Sequence, residues 1–545
     1  MRFTSISFVT NLITLFIIFA LTAYAQENTR PKLVVGIVVD QMRYDYLQKY
    51  YEYYGEDGFK RLMRDGSNFT FAHYNYVPTY TGPGHASIYT GTTPYYHGII
   101  SNDWYSKTSR SFVNCIEDND VRTIGETSSA GQASPKRLMT TTISDQMKIY
   151  TNGKSRVFSI SLKDRAAILP GGHTPDQVYW YSDKTGKFIS STYYTNSLPA
   201  WVIKFNQENM VNKLFKGSWE LLLPKEDYKI SSPDEAPWED DVFSEGETSF
   251  PHSFANVMDK KYDLIRTTPF GNDLLLKFAE DLIENEKPGS GDYTDFLAIS
   301  FSSTDFIGHA YGPNSVEIED AYIRMDRQLA ELLNALDRSV GKGNYILFLT
   351  ADHAVSETVG FLKKMNIQAG GFDYKACKDS LKTFSKRKFG SADLIENFSN
   401  DQVYFNKKFI NDKNLKTAEV EDAFGEFLQD EFPEIEKVFL RHNLHDLSAE
   451  REPYNFVLNG FNPERSGNVE FNLKPYYLSG HLRYGTTHGA AFPYDTHVPL
   501  LFYGWNVPAE QVNTPVYIVD IAPTICNMLG IMEPTGCIGI PIIHK

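Results

Sequence analysis

The sequence has no extended run of basic residues and carries an excess of acidic ones. Lys and Arg number 53 against 68 Asp and Glu, which gives a formal net charge of −15. Proteins that bind nucleic acid through charge neutralise phosphates with clustered Lys and Arg. No nucleic-acid partner is therefore expected.

Internal repeats and low-complexity tracts are also missing. The 545 residues are 42% hydrophobic and 14% aromatic, which excludes a disordered chain and is enough to bury a large core. The composition favours one large domain carrying insertions, or two domains.

Cysteine is scarce, with four residues at positions 115, 377, 526 and 537. In an exported protein four cysteines allow three complete disulfide pairings, and the sequence does not choose between them. Cys526 lies in a helix-like segment, where a buried free thiol fits equally well. The metal chemistry described below needs no thiolate.

The apolar run near the N-terminus is short. Residues 12–21 (LITLFIIFAL) follow Arg2 and precede 23–25 (AYA), which is the layout of a secretory signal peptide over residues 1–25, with the mature chain at 26–545. A membrane anchor would need about 20 apolar residues, and no cysteine near the cleavage site offers a lipid attachment point. We expect a periplasmic or secreted protein without stable membrane insertion.

Short apolar runs alternate with helical patterns, which is typical of a mostly parallel sheet covered on both faces. The runs are 33–39 (LVVGIVV), 157–162 (VFSISL), 296–301 (FLAISF), 345–350 (YILFLT) and 499–503 (PLLFY). Helices are predicted at 83–90, 316–336 and 521–529. The expected fold class is α/β, with a central mostly parallel sheet flanked by helices.

Two stretches do not follow this alternation. Residues at about 170–290 are rich in Tyr, Trp, Pro and Ser, and residues at about 355–480 contain their own Phe, Tyr and Asn clusters. Insertions that follow strands at the functional edge of a sheet commonly form caps. We predict two large cap insertions in one catalytic domain.

Polar residues follow four of the five apolar runs: Asp40, Lys163, Asp305 and Asp352. Ligands of open α/β sheets bind at the carboxyl ends of the strands, so these side chains are expected to converge.

Carboxylates and imidazoles at these positions form a candidate metal set. Two tetrahedral Zn²⁺ ions would use three Asp, three His and one hydroxyl. The candidates are Asp40, Thr81, Asp305, His309, Asp352, His353 and His488. Each pair alone is a weak signal, because a D-x-x-x-H spacing also suits a capping Asp with an exposed His, and His488 also suits a loop. The pair Asp352-His353 is stronger, because buried polar residues need partners.

Thr81 is the candidate nucleophile. It precedes 82–88 (GPGHASI), so its hydroxyl is expected where a loop enters a helix and where unpaired N–H groups favour an oxyanion. A threonine hydroxyl needs a metal or a base to become reactive. The alternatives are an ordinary N-cap role for Thr81 and a competing role for Thr79. We expect Asp305 and His309 to reach one metal from a strand end and the following turn.

These segments together resemble the alkaline phosphatase superfamily, in particular its exported branch of monoesterases with a threonine nucleophile. The likeness covers nearly the whole mature chain. Its motifs are 34–40 (VVGIVVD), 81–87 (TGPGHAS), 91–94 (GTTP), 97–98 (HG), 101–104 (SNDW), Asp305 with His309, 350–353 (TADH), 487–489 (THG) and 520–524 (DIAPT).

The resemblance implies two Zn²⁺ ions per chain and roles for each site residue. Asp305, His309 and His488 would hold one ion. The ligands implied for the other are Asp40, Asp352, His353 and the Thr81 oxygen. No carboxylate set for a third metal is evident, so no catalytic Mg²⁺ is expected.

The resemblance also implies a phosphate-binding set of Asn102, Lys163 and Arg165. Thr81 would form a phosphothreonine intermediate that water then hydrolyses. A monoester dianion offers more charge to Lys163 and Arg165 than a diester monoanion does, which favours a phosphomonoesterase. We expect the protein to be a monomer. A solvated strand end is the structural alternative for these two cations.

Three other functions stay open. Segment 92–104 also resembles the nucleotide pyrophosphatase/phosphodiesterase branch, so a phosphodiesterase is the main alternative. A non-catalytic, metal-dependent phosphate-binding protein would need neither a nucleophile nor a second metal. A relative of cofactor-independent phosphoglycerate mutase fits the metal chemistry but not the signal peptide.

Overall fold

The computed structural model describes residues 30–480 and 483–543. Within them a central sheet contains eleven strands. Ten of these strands lie side by side, in this order from one edge of the sheet to the other: Glu510–Val512, Ser67–His73, His497–Gly504, Tyr345–Thr350, Leu33–Val39, Asp295–Phe301, Val157–Ser161, Gln177–Ser182, Lys187–Ser191 and Thr123–Ile124. The eleventh strand, Val516–Tyr517, pairs with Ser67–His73. The signal-peptide prediction for residues 1–25 lies outside the described residues.

The middle of the sheet is parallel. Leu33–Val39 pairs in parallel with Asp295–Phe301 on one side and with Tyr345–Thr350 on the other. All seven residues of Leu33–Val39 are buried, as expected for a strand covered on both faces, where no alternation of polar residues is needed. The α/β fold class and the central mostly parallel sheet are confirmed.

The predicted run at 499–503 forms the strand His497–Gly504, which is antiparallel to both of its neighbours, Tyr345–Thr350 and Ser67–His73. A continuous apolar run indicates burial on both faces but carries no information on strand direction. This strand therefore does not deliver a site residue at the edge where the parallel strands end.

The three predicted helices are all present, at Thr81–Thr90, Val316–Ser339 and Ile521–Leu529. Other helices of eight or more residues are Ile143–Tyr150, Asp164–Gly171, Ala200–Gln207, Pro269–Glu286, Ser303–Tyr311, Tyr374–Phe389 and Thr417–Glu431. Thr81–Thr90 begins two residues before its predicted start and is buried along its whole length. It contacts Asp164–Gly171 and Ile521–Leu529.

Residues between Tyr345–Thr350 and His497–Gly504 include a second sheet of four strands: Ile395–Ser399, Gln402–Phe405, Ile435–Leu440 and Val469–Leu473. This sheet packs with Tyr374–Phe389 and Thr417–Glu431 around its own apolar core, which includes Phe424, Leu428 and Phe471. The boundaries predicted for the two insertions stay a prediction.

Each of the four cysteines is a free thiol here, and Cys115, Cys377 and Cys526 are buried. No helix among residues 30–480 and 483–543 has the length and the apolar content required to span a membrane.

Candidate active site

The residues that follow the parallel strands meet at one edge of the sheet. Asp40 comes directly after Leu33–Val39, and Lys163 lies two residues beyond Val157–Ser161. The Lys163 Nζ atom is 2.7 Å from Asp40 Oδ2 and 2.5 Å from Asp305 Oδ2. Parallel strands end at the same edge, which explains this convergence of residues from distant parts of the chain.

One group of candidate metal ligands consists of Asp305, His309 and His488. Their ligand atoms all lie within 4.8 Å of one another. The Nε2 atoms of His309 and His488 are 3.2 Å and 3.8 Å from Asp305 Oδ1. The expectation that Asp305 and His309 lie on a strand end and a turn is wrong, because both are on the helix Ser303–Tyr311. Residues four apart on a helix share one face, so the spacing still brings the two side chains together.

A second group consists of Asp40, Asp305 and His353. His353 Nε2 is 3.6 Å from Asp40 Oδ1 and 3.6 Å from Asp352 Oδ2. The Asp305 carboxylate belongs to both groups, so the two groups adjoin. The division of ligands that the family resemblance implies, with Asp352 rather than Asp305 beside His353, stays a prediction.

The three histidines have fixed ring orientations. Each Nδ1 lies against a backbone carbonyl, which can only accept a hydrogen bond, so Nδ1 carries a proton and Nε2 is the ring atom directed towards the carboxylates. The pairs are His309 with Thr486 O at 2.8 Å, His353 with Ala354 O at 3.0 Å and His488 with Thr79 O at 2.7 Å. The rings of His353 and His488 stack at 3.5 Å.

Several carboxylate oxygens at the site are buried without a hydrogen-bond partner. They are both oxygens of Asp40 and the Oδ2 of Asp352. The Lys163 contact with Asp40 is an ion pair by distance but lacks hydrogen-bond geometry. Buried anions need a pairing cation or a metal. The oxygen and imidazole donors present here suit Zn²⁺.

The pKa values of these acids reflect their crowding. Burial, together with the neighbouring Asp352, raises the pKa of Asp40 well above its usual value. Burial raises the pKa of Asp352 to about 6. Burial also acts to raise the pKa of Asp305, but His309 and Lys163 hold that pKa well below its usual value. Asp305 is therefore the acid whose negative charge the surroundings compensate best.

Thr81 is the first residue of the helix Thr81–Thr90 and is 1% exposed. Its Oγ1 lies 3.5 Å from His353 Nε2, so the hydroxyl adjoins the second ligand group. The backbone N–H of Gly82 donates to Asn102 Oδ1 at 2.7 Å. This bond leaves the Asn102 amide N–H₂ as the free end of that side chain.

The competing residue Thr79 has a different environment. Its hydroxyl donates to the carbonyl oxygen of Ala490 at 3.0 Å, and its own carbonyl accepts from His488. Thr79 therefore connects two segments near the site rather than presenting a free hydroxyl.

Lys163 and Arg165 are two cations that interact with the carboxylates of the site. Lys163 is 5% exposed, which contradicts the alternative of a solvated strand end for this residue. The Arg165 Nε atom is buried without a hydrogen-bond partner, and Asp40 and Asp305 both interact with the Arg165 charge. The charges of Asp40 and Asp305 thus raise the pKa of both Lys163 and Arg165.

Sequence reasoning missed Gln41, which holds two of the acids. Its backbone N–H donates to Asp352 Oδ1 at 3.1 Å, and its Nε2 donates to Asp305 Oδ1 at 2.7 Å. The residue has a φ of 66°, a strained conformation for a residue with a side chain. Its position directly after Asp40 was the one available signal, because a polar residue at a buried strand end needs a partner.

His85 was given no role of its own from the sequence, yet it contacts the residue predicted to be the nucleophile, Thr81. Its Nδ1 lies 2.9 Å from the carbonyl oxygen of Thr81 and its Nε2 lies 2.9 Å from Ser300 Oγ. The ring is fully buried and 3.5 Å from Asp352 Oδ2. His85 therefore fixes the first turn of the helix that carries Thr81.

The chain is similar over most of its length to several known proteins. Residues 34–446 match the model of the family described as "Type I phosphodiesterase / nucleotide pyrophosphatase". The chain is 45% identical to alkaline phosphatase PafA of Elizabethkingia meningoseptica, over 94% of each chain. It is 42% identical to alkaline phosphatase PhoV of Synechococcus elongatus, over 95% of this chain and 93% of that protein. The crystal structure of PafA superposes with a TM-score of 0.90, covering 94% of this chain and 98% of that one.

Proposed function

The chain belongs to the type I phosphodiesterase/nucleotide pyrophosphatase family, within the alkaline phosphatase superfamily, and we propose that it is an alkaline phosphatase that hydrolyses phosphate monoesters. The observation that carries the proposal is Thr81, a buried hydroxyl at a helix start, 3.5 Å from a candidate metal ligand. The names of two relatives that match nearly the whole chain support the same activity.

The donor set fits two Zn²⁺ ions per chain, and the unpartnered oxygens of Asp40 and Asp352 support this assignment. Asp305, His309 and His488, which form one of the observed ligand groups, would hold one ion. Following the family resemblance, Asp40, Asp352, His353 and the Thr81 oxygen would hold the other. When bound, the ions would supply Lewis acidity, which lowers the pKa of a coordinated hydroxyl or water and stabilises a departing oxygen.

The chain's own residues account for the rest of the reaction. The Thr81 oxygen attacks phosphorus, the alcohol departs and a phosphothreonine forms. Water then cleaves the bond between phosphorus and the Thr81 oxygen, which releases phosphate. The dipole of the Thr81–Thr90 helix favours negative charge at its N-terminus.

Substrate binding falls to Asn102, Lys163 and Arg165. The free amide end of Asn102 can donate to one phosphoryl oxygen, and a guanidinium fork can bind two. Lys163 faces the same small volume as the candidate metal ligands. A monoester dianion gains more from these two positive charges than a diester monoanion, so the set favours monoesters.

A phosphodiesterase is the second candidate, because the description of the matching family model names that activity. The ligand groups and Thr81 serve both reactions. The two candidates differ in how far hydrolysis depends on Lys163 and Arg165.

We also propose export to the periplasm or the medium. The support is the N-terminal sequence, with Arg2, the apolar run 12–21 and the AYA of residues 23–25.

The test is steady-state hydrolysis of p-nitrophenyl phosphate and bis-p-nitrophenyl phosphate by the zinc-loaded mature protein. We expect a strong preference for the monoester and a loss of about 10³-fold or more in Thr81→Ala. Thr81→Ser keeps the hydroxyl and should keep most of the activity, and Thr79→Val tests the competing threonine. A preference for the diester would establish the second candidate, and binding of zinc and phosphate without turnover would leave only a binding function.

A further inference from the structure

A hairpin next to the site contributes to a separate cavity. The strands Asp103–Ser106 and Ser111–Asn114 pair directly after Asn102. The cavity has a volume of about 360 Å³, and its lining includes Trp104, Lys107, Arg137 and Arg465. This volume lies within the range of small-molecule sites. No lining residue is a candidate catalytic residue or metal ligand.

The cations of this cavity, Lys107, Arg137 and Arg465, are poorly neutralised. The Lys107 Nζ donates to the carbonyl oxygen of Ser466 at 2.8 Å, which is a neutral partner. Burial and, to a smaller extent, the nearby Arg441 together lower the pKa of Lys107 to about 8, against the opposing effect of Glu464. The half-buried ammonium therefore lies among like charges.

Arg465 is in a similar position. Its Nη1 donates to the carbonyl oxygens of Gly98 and of Arg137, the latter at 2.9 Å, and its guanidinium lies 5.3 Å from the centre of the Trp104 ring. Burial and the charge of Arg137 lower the pKa of Arg465 to about 10. Carbonyl groups and an aromatic ring are neutral, so they do not cancel the positive charge of Arg465, and the guanidinium can still bind an anion.

Acidic residues offset only part of this charge. The Arg137 Nη2 lies 3.6 Å from Glu117 Oε2. Glu464 lines the cavity but is itself exposed, so water screens its charge. Lys107 and Arg465, by contrast, have neutral carbonyl oxygens as hydrogen-bond partners.

We propose that this cavity binds an anion with two or more linked phosphates. Guanidinium and ammonium groups that converge on one cavity match the spread negative charge of a phosphate chain. The volume exceeds the roughly 30 Å³ share of a single water many times over, so it accommodates more than one phosphate group. The site does not depend on the phosphatase activity proposed above.

The test is isothermal titration calorimetry of the zinc-loaded mature protein with a methylene-bridged triphosphate, which resists hydrolysis. Two binding sites are expected, the catalytic centre and this cavity. Lys107→Glu should weaken binding at the cavity by about tenfold or more, and Lys107→Gln by less. Inhibition of p-nitrophenyl phosphate hydrolysis by the same compound should be unchanged in both variants, because it reports the catalytic centre.

The matched control is Lys136→Gln. Lys136 is an exposed lysine that pairs with Asp118 and with Asp120 and does not line the cavity, so both sites should persist in this variant. A single site in the wild-type protein, or a second site that Lys107→Glu leaves intact, would overturn the proposal. Binding of orthophosphate at the second site as tightly as the triphosphate would overturn the assignment of a phosphate chain.

Discussion

Asp305 has the largest number of roles among the residues of the site. It belongs to both candidate ligand groups, and it accepts from Gln41 Nε2 and contacts Lys163. Gln41 in turn fits closely, because a Cβ added to Gly308 would lie 1.9 Å from Gln41 Oε1. The shared carboxylate is therefore oriented by a side chain that itself has little freedom to move.

Removal of the Gln41 side chain is expected to weaken metal binding. Gln41→Gly keeps the backbone N–H that donates to Asp352 and suits the φ of 66°, but it removes the donor to Asp305. Loss of a residue that orients a ligand typically reduces metal affinity by about 10–100-fold. Zinc affinity measured by competition with a chromogenic chelator checks this expectation. Unchanged affinity would mean that the hydrogen bond does not orient Asp305.

Replacement of either cation beside the acids is expected to reduce monoester hydrolysis more than diester hydrolysis. Lys163→Ala and Arg165→Ala each remove a charged donor, which corresponds to about tenfold to hundredfold in kcat/KM. The diester, with one negative charge fewer, should lose less. The ratio of the two kcat/KM values is the measurement, and a ratio indifferent to both changes would contradict the proposed role.

Five of the seven ligands predicted from the sequence belong to the two groups found in the structure: Asp40, Asp305, His309, His353 and His488. Each pair was a weak signal alone, and the set was recognisable because its members occur together in the order of the family motifs. The sequence did not predict Gln41, whose contribution depends on a positive φ and on contacts across more than 260 residues of chain. It also could not show that Asp305 lies between the two ligand groups, because that depends on where a helix places its side chain.

At the scale of elements, the helix Thr81–Thr90 must approach the loop after Tyr345–Thr350 very closely. A Cβ added to Gly84 would lie 2.2 Å from the carbonyl oxygen of Asp352, a distance that real contacts do not tolerate. Glycine at this position allows Thr81, the proposed nucleophile, and the Asp352-His353 pair to lie side by side.

Gly84→Ala is therefore expected to separate these two elements. The overpacked contact should lower the free energy of unfolding by about 1–3 kcal/mol, and kcat for p-nitrophenyl phosphate should fall because Thr81 and His353 move apart. Urea denaturation and steady-state kinetics are the measurements. Gly291→Ala is the control, because nothing lies within 4 Å of its added Cβ. Equal stability and activity of the two variants would disprove the close-approach argument.

The positions of strands and helices along the chain were largely predictable, whereas the direction of a strand in the sheet and the extent of a helix after a strand were not. The apolar runs at 33–39 and 345–350 match their strands residue for residue, because strands buried on both faces are continuous apolar runs. Asp305 and His309 were assigned to a strand end and the following turn, although both lie in the helix Ser303–Tyr311. A spacing of four residues does not by itself distinguish a turn from a helix. The direction of His497–Gly504 was likewise hidden, because direction depends on the connections and not on composition.

At the scale of the whole molecule, the chain between Tyr345–Thr350 and His497–Gly504 contains a second core of its own. Asp352 and His353 precede this region and His488 follows it, so the candidate site joins the two ends of the insertion. The sequence predicted an inserted region there from its change of pattern. Its four-stranded sheet was not predicted, since short strands in a mixed-charge segment give no clear period.

Buried acids from distant segments link metal binding to the stability of the fold. Asp40 and Asp352 are 0% exposed and have oxygens without hydrogen-bond partners, so the metal-free protein bears the cost of burying carboxylates that Lys163 and its neighbours compensate only in part. A ligand that binds only the folded state stabilises it by mass action. Chelation is therefore expected to lower the Tm by several degrees, and added Zn²⁺ to restore it.

The same argument predicts the behaviour of a neutral variant. Asp40→Asn removes one buried charge while keeping the shape of the side chain, so the chelated variant should have a higher Tm than the chelated wild-type protein. Its gain in Tm on addition of Zn²⁺ should be smaller, because one ligand has lost its charge. Differential scanning calorimetry of both proteins, with and without chelator, gives the four values required. A chelated Asp40→Asn protein less stable than the chelated wild type would show that Asp40 is adequately paired by Lys163 alone, and the unpartnered oxygens would then no longer support a metal site.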